Sequence, residues 1–197
     1  MCGGYQGITA GSGTATTEMR LAMIDIVDQA LDAFPAIDPT LYVDDLSAEV
    51  AGQDDFIKAN FVGFLKSVCV GIKAAGGKVS ATKSVCLASK PSLTAEIAME
   101  LRVHGILPVI RTKSLGVGLA AGVRRNSMVV NNRLKEYKKR LPRFRMLKQA
   151  GVNTNKLNRT GGTAALTWGQ EAMGVPPATL VQQRRAVMAA GNTGCGF

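Results

Sequence analysis

The feature that most limits the fold is a change of hydrophobic period at two prolines, Pro35 and Pro39. Before them, apolar residues recur every three or four positions from Thr14 onward, which predicts a helix of about 20 residues. Proline disrupts a helix interior, so "FPAIDP" ends this one. After it, "TLYV" and "LSAEVA" alternate as strands do, and Asp44 and Asp45 join the two runs. The sequence therefore predicts a helix followed by a β-hairpin with an acidic tip.

The rest of the chain continues this mixture of helices and strands. Residues 52–77 and 92–105 have helical apolar stripes that end at glycines, and short extended runs lie in "KVSATKSVCLAS" and "LPVIRTKSLGVGLAAG". This order is typical of an α+β fold, and we expect an antiparallel sheet with helices on one face. Beyond about residue 120 the chain is mostly helical, with an interruption expected at Pro142.

Charge divides the chain into two parts. Residues 1–100 hold 7 Lys and Arg against 12 Asp and Glu, whereas residues 101–197 hold 17 against 2. Between Arg111 and Arg159 there are 14 basic residues and one acid, Glu136. A surface of this kind attracts a polyanion such as nucleic acid. We therefore expect two regions, residues 1–120 and a basic helical region of residues 121–197.

The basic region predicts a nucleic-acid surface that grips the phosphate backbone. Its cations cover more than one face of a helix, which favours backbone contacts over the reading of bases. The residues expected to make these contacts are Arg124, Arg125, Arg133, Lys135, Lys138, Lys139, Arg140, Arg143 and Arg145. The same helix has a buried stripe, which comprises Leu134, Tyr137, Leu141, Phe144 and Leu147. We expect the single tryptophan, Trp168, to lie in the core rather than to stack on bases.

The acidic pair Asp44 and Asp45 has two interpretations. It is either an acidic turn of the Asx type or one wall of a site that holds divalent ions against a phosphate. A two-metal site, with ions about 3.5 to 4 Å apart, needs at least one more carboxylate from a neighbouring strand. The sequence does not identify that third acid.

Five segments, taken in order, resemble motifs of the reverse transcriptases. "LYVDDLSAEV" resembles motif C, the YxDD hairpin of the polymerase palm, and "GITAGSGTATTEMRLAMIDIV" resembles motif B, a glycine-rich loop that runs into a long helix. "GGKVSATKSVCLAS" resembles motif D, and "SLGVGLAAG" resembles the motif E strand before the thumb. "RTGGTAALTWGQEAMG" is similar to a helical region that follows the polymerase in non-LTR retrotransposons. The chain thus resembles the palm and thumb part of such a reverse transcriptase.

The resemblance implies roles for particular residues. Residues 1–120 would be part of a right-hand polymerase palm, and residues 121–197 a thumb-like or connection-like region. Asp44 would bind the catalytic Mg²⁺ or Mn²⁺ pair, Asp45 would assist it, and Tyr42 would contact the primer end or template. Gly11 and Ser12 would lie beside the templating base and the incoming nucleotide. Lys83 would protonate the leaving pyrophosphate or neutralise its charge.

The implied partners are an RNA template with a DNA primer, or an RNA–DNA duplex, and deoxynucleoside triphosphates. Two departures from the family pattern qualify the expected activity. Ala10 and Gly13 stand where motif B usually has Gln and Pro, and these 197 residues begin at motif B, without motif A and the fingers. We therefore expect either part of a longer polymerase, which extends a primer once motif A is restored, or a catalytically inactive nucleic-acid-binding remnant. A basic α+β protein that binds an acidic partner protein is a third alternative.

No apolar run approaches the ~20 residues of a membrane span, and the N-terminus "MCGGYQGITAGSG" lacks the regions of a signal peptide. We expect an intracellular protein, in the nucleus or the cytoplasm, with no membrane partner. The sequence predicts no oligomeric state.

Overall fold

The computed structural model describes residues 13–122 and 125–191 and separates them into two units between Val109 and Ile110. The first unit contains α1 (Ala15–Ala33), β1 (Asp38–Tyr42), β2 (Asp45–Glu49), α2 (Asp54–Ala74), β3 (Val85–Cys86), α3 (Pro91–Leu101) and β4 (Leu107–Pro108). The second contains β5 (Arg111–Ser114), β6 (Val117–Ala120), α4 (Met128–Gln149), α5 (Thr154–Leu157), α6 (Ala164–Thr167), α7 (Gln170–Met173) and α8 (Pro177–Ala190). A 3-10 turn (Arg102–His104) follows α3, and a π-helical turn (Asn158–Thr163) joins α5 to α6. The predicted α+β class is confirmed.

Within the described residues, the strands form three separate pairs. β1 pairs with β2 and β5 pairs with β6, both antiparallel, whereas β3 and β4 are parallel. The expectation of one antiparallel sheet is therefore wrong for the part of the chain that the structure describes. The parallel pair has a physical cause, because α3 is a crossover between β3 and β4 and brings the second strand back in the same direction.

Helix α2 organises the core of the first unit. Its residues Phe64 and Val68 are buried in a cluster with α1, and its residue Val62 is buried in a second cluster with α3. Phe61 and Leu65 are partly buried and pack against both clusters. Because hairpin β1–β2 also packs its apolar face on the first cluster, the two long helices fix the position of the hairpin within this unit.

Helices α4 and α8 form the core of the second unit. Leu134 and Tyr137 of α4 are buried with Ala186 and Ala190 of α8, and Leu166 of α6 completes the cluster. The predicted interruption at Pro142 is wrong, since α4 is one helix from Met128 to Gln149. The exposed proline removes one helical hydrogen bond, but the turns on both sides of it pack on this core and keep the helix continuous.

In residues 13–122 and 125–191, none of the helices combines the length and the apolar character that crossing a membrane requires.

Candidate nucleic-acid interface and acidic hairpin

The hairpin β1–β2 separates an apolar face from an acidic face. In the pairing register, Tyr42 lies opposite Asp45 and Asp38 lies opposite Glu49, so these four side chains share one face. All four are exposed. The other face carries Leu46 and Ala48, which pack on the core. The alternation of the sequence therefore turns the acids towards solvent.

Asp44 and Asp45 have different positions in this hairpin. Val43 and Asp44 form its two-residue loop, whereas Asp45 is the first residue of β2. Both aspartates are exposed, and neither carboxylate makes a hydrogen bond or an ion pair with another residue that the structure describes. Val43 has a φ of 59°, a left-handed conformation that a β-branched residue rarely adopts. The tip of the hairpin thus presents two uncompensated carboxylates, one in the loop and one on the strand that follows it.

The carboxylates at this loop suit a magnesium site that water and phosphate complete. They do not suit a site in which the protein supplies every ligand. Among the described residues, no three His, Cys, Asp or Glu side chains form a group that could hold a metal ion. Mg²⁺ commonly uses one or two protein carboxylates and completes its octahedron with waters and substrate phosphates. Asp44 and Asp45 therefore fit Mg²⁺ or Mn²⁺ as a partial set of ligands, in the presence of phosphate oxygens.

Of the other predicted site residues of the first unit, the structure describes Lys83 and Tyr42, and they lie in different places. Lys83 is exposed in the turn before β3, and its backbone N–H donates to the carbonyl of Ser80 at 3.2 Å. It thus precedes a different strand pair from the aspartates. Gly11 and Ser12 lie outside the described residues. Tyr42 is 61% exposed and lies beside the loop.

In the second unit, α4 presents most of the predicted basic residues to solvent. Its buried stripe occurs as predicted for Leu134 and Tyr137, with Leu141 and Phe144 partly buried. The prediction is wrong for Leu147, which is exposed near the end of the helix. This arrangement leaves a set of exposed cations, which comprises Lys135, Lys138, Lys139, Arg140, Arg143 and Arg145. Arg125, just before the helix, is also exposed, and Arg124 lies outside the described residues.

An open cavity of about 660 Å³ lies between α4 and α8 on this basic surface. Its lining residues are Asn131, Leu134, Lys135, Lys138, Lys139 and Gln182. Lys138 Nζ donates to Gln182 Oε1 at 3.0 Å, which links the two helices across the cavity. Lys139 Nζ donates to Glu136 Oε1 at 2.6 Å, and this bond holds the pKa of Glu136 below its usual value. We call this surface the α4–α8 groove.

A smaller cavity of about 450 Å³ was missed by the sequence analysis. Asn155, Lys156, Arg159 and Thr160 line it, where α5 continues into the π-helical turn. The π-helical turn is supported from inside by Asn158, whose side-chain amide donates to the carbonyl of Val187 at 3.0 Å and whose Oδ1 accepts from Tyr137 Oη. The spacing of Lys156 and Arg159 was visible in the sequence, but the altered helical turn that presents them was not.

Arg133 differs from the exposed cations of α4, because it is hydrogen-bonded to the backbone of its own unit. It is partly buried, and its guanidinium donates to two carbonyls, that of Gly116 at 2.7 Å and that of Trp168. Gly116 belongs to the two-residue loop between β5 and β6. Arg133 therefore fastens this loop to the end of α6.

The position of Trp168 differs from the predicted one. It is 61% exposed, so the expectation of a core residue is wrong. The indole N–H donates to the carbonyl of Leu115 at 3.1 Å, in the same β5–β6 loop. The polar edge of the ring is thus satisfied without burial, because α6 ends at Thr167 beside the loop.

We compared the chain with family models, curated proteins and solved structures, and none of the three comparisons gives a match.

Proposed function

We propose that this chain is the palm and thumb part of a polymerase of the reverse-transcriptase type. In this proposal, the α4–α8 groove grips the backbone of an RNA–DNA duplex, and hairpin β1–β2 presents Asp44 and Asp45 for Mg²⁺ or Mn²⁺. The observation that carries it is the conformation of the YVDD segment, a hairpin tip with a two-residue loop at which both carboxylates are exposed and uncompensated. Bound metal would stabilise the charge that develops during phosphoryl transfer from a deoxynucleoside triphosphate.

The residues of the chain have separate tasks in this proposal. The cations of the groove neutralise phosphates of the duplex and set its position, which is a sequence-independent role. Asp44 and Asp45 would hold Mg²⁺ or Mn²⁺, and Tyr42, on the face of Asp45, would contact the primer end or template. Lys83 neutralises or protonates the leaving pyrophosphate. In this proposal, the third metal-binding carboxylate belongs to a residue other than Asp44 and Asp45.

The metal-binding step has a built-in control, because the first unit holds a second pair of adjacent exposed aspartates, Asp54 and Asp55, at the start of α2. We expect Mn²⁺ to broaden the amide NMR signals of the hairpin loop at lower concentration than those at the start of α2. The double variant Asp44→Asn, Asp45→Asn should abolish the Mn²⁺-induced broadening of the loop signals. The double variant Asp54→Asn, Asp55→Asn should leave the broadening at the loop unchanged. Equal broadening at both pairs would contradict a metal site at the hairpin.

The polymerase activity is tested by extension of a DNA primer on an RNA template in Mg²⁺, with a segment that carries motif A and the fingers supplied together with the chain. The double variant Asp44→Asn, Asp45→Asn should lower the extension rate at least about 100-fold, because the metal ligands are lost. Unchanged extension would show that the hairpin is not the metal site.

A second candidate function is nucleic-acid binding without polymerisation. It is favoured by the incomplete set of metal ligands among the described residues and by the exposed cations of the groove. Both candidates predict salt-dependent duplex binding, and only the first predicts primer extension that depends on the aspartates.

Binding through the groove is tested with a labelled RNA–DNA duplex at several salt concentrations. Lys135→Glu with Lys138→Glu should weaken binding and reduce the slope of log K against log[salt] by about 2, roughly one for each lost phosphate contact. The control is Lys73→Glu with Lys78→Glu, two exposed lysines of the first unit, which changes the net charge equally. An equal loss in both variants would indicate attraction by net charge alone.

A further inference from the structure

We propose that Trp168 is a stacking platform for an unpaired nucleobase, in a single-stranded segment of RNA or DNA that the second unit binds. This proposal rests on the proposed nucleic-acid binding and adds the kind of strand that is recognised. It begins from the unusual exposure of the largest aromatic side chain in the chain. Trp168 is 61% exposed, although a tryptophan ordinarily buries most of its surface.

The indole is held in place by its polar edge. Its N–H donates to the carbonyl of Leu115, and the backbone carbonyl of Trp168 accepts from Arg133, which also binds the carbonyl of Gly116. Gly116, with a φ of 86°, leaves room for this contact, since a Cβ there would lie 2.8 Å from the indole nitrogen. Because the ring is fixed before a ligand arrives, stacking on it costs little side-chain entropy.

The charge of the second unit selects the kind of ligand. An exposed aromatic face recognises either a cation or another flat ring. Residues 110–197 contain 16 Lys and Arg and two acidic residues, so a cationic ligand is repelled. On the β5–β6 hairpin itself, Arg111 and Lys113 are exposed. A nucleotide strand carries both flat rings and negative charge, and is therefore the ligand that fits.

The strand must offer a base that is not already stacked within a duplex. Bases of intact duplexes are stacked on their neighbours, whereas the bases of single strands are free to stack on aromatic side chains. The platform therefore favours single strands, while the cations of the α4–α8 groove bind single strands and duplexes through their phosphates.

Trp168 is the single tryptophan, so its fluorescence reports directly on the site. The chain is titrated with a single-stranded oligonucleotide and with an abasic strand of the same length and phosphate charge. We expect quenching by the first strand and binding without quenching by the second. Equal quenching by both strands would overturn the platform. A blue-shifted emission in the protein alone, which indicates a buried ring, would also overturn it.

Affinities of variants separate this proposal from the proposed function. Trp168→Leu should weaken binding of a labelled single strand about 10-fold or more and change duplex binding less than about twofold, whereas Trp168→Phe should retain most single-strand affinity. The control is Phe56→Leu, at an aromatic residue of the first unit that is 46% exposed, and it should have no effect. If circular dichroism shows that Trp168→Leu does not fold, Trp168→Phe and the abasic strand decide. Unchanged single-strand affinity in Trp168→Leu overturns the platform alone, and absence of all binding by the wild-type chain overturns the proposed function.

Discussion

The hairpins β1–β2 and β5–β6 have the same plan and are held in different ways. Both are antiparallel with a two-residue loop, and each loop contains a non-glycine residue with positive φ, Val43 at 59° and Leu115 at 45°. In β5–β6, Arg133 and Trp168 bind the loop carbonyls. The described part of the chain places no such side chain on the β1–β2 loop, which is held by its register and by the core under its apolar face.

The difference shows how one local structure serves two purposes. A loop whose carbonyls are bound by side chains of its own unit is rigid, and it orients what is attached to it, here the indole of Trp168. A loop whose carboxylates have no partner keeps their full capacity for an external cation. We therefore expect substitutions of the side chains that bind the β5–β6 loop to lower the stability of the second unit. Substitutions of Asp44 and Asp45 should remove metal binding and change the stability of the first unit little.

The largest effect is expected from Arg133→Met. The change removes two hydrogen bonds from a charged, partly buried donor, and should lower the free energy of unfolding of the second unit by about 2 to 4 kcal/mol. Urea unfolding followed by Trp168 fluorescence measures this unit alone, because the first unit has no tryptophan. Lys135→Met, at an exposed position of the same helix, should change it by less than about 0.5 kcal/mol. Similar losses in both variants would refute the fastening role.

Asn126→Ala tests the second fastening of the β5–β6 hairpin. The buried Asn126 amide donates to the carbonyl of Thr112 at 3.0 Å and to that of Leu119 at 3.1 Å, one on each strand. Leaving both carbonyls unsatisfied should cost about 1 to 3 kcal/mol in the same unfolding assay. Asn132→Ala, at an exposed position of α4, is the matched control and should be nearly neutral. A loss below about 0.5 kcal/mol for Asn126→Ala would mean that the hairpin does not need this support.

Val43→Gly tests the strain in the β1–β2 loop. Relief of about 1 to 2 kcal/mol from the left-handed valine is partly offset by the greater freedom of glycine in the unfolded chain, so we expect a net gain of up to about 1 kcal/mol. Thermal unfolding followed by the NMR signals of the first unit measures it. Ala48→Gly, in a regular strand position of the same hairpin, should only destabilise. A loss of stability in both variants would show that the loop is not strained.

The smallest effect is expected from Asp44→Asn with Asp45→Asn. Since neither carboxylate has a partner in the described structure, the double change should alter stability by less than about 0.5 kcal/mol, with a slight gain at low salt from relieved repulsion. Asp54→Asn with Asp55→Asn should instead destabilise, because these residues lie in the first turn of α2 and Asp54 pairs with Lys90 at 2.7 Å. Thermal midpoints at low and high salt compare the two. A large loss from the hairpin variant would reveal a structural role for its acids.

The parts of the fold that depend on local pattern were predictable from the sequence. The end of α1 before the prolines, the hairpin around Asp44 and Asp45, and the buried stripe of α4 follow from the spacing of apolar residues. The parallel pairing of β3 with β4 was not predictable, because it joins residues far apart in the chain, such as Val85 and Leu107. The continuity of α4 through Pro142 was missed for the same reason, since the packing on α8 that maintains it is not visible locally.

The candidate sites show the same limit. The position of Asp44 and Asp45 at the tip of a hairpin followed from the local pattern of the sequence. The hydrogen bonds of Arg133 and Trp168 did not, because their partners lie 17 to 53 residues away in sequence. Counting charge located the basic residues along the chain, but it did not distinguish Arg133, which fastens the β5–β6 loop, from its exposed neighbours on α4.

The division of the chain between Val109 and Ile110 has a consequence for its synthesis. Compact units generally fold as they emerge from the ribosome, at roughly 5 to 20 residues per second, with the N-terminal unit first. The acidic unit is therefore expected to complete its core while the basic one is still being translated. During those seconds residues 110–197 add 16 Lys and Arg against two acidic residues, so the attraction of the growing chain to the ribosomal RNA around it rises as the second unit is translated.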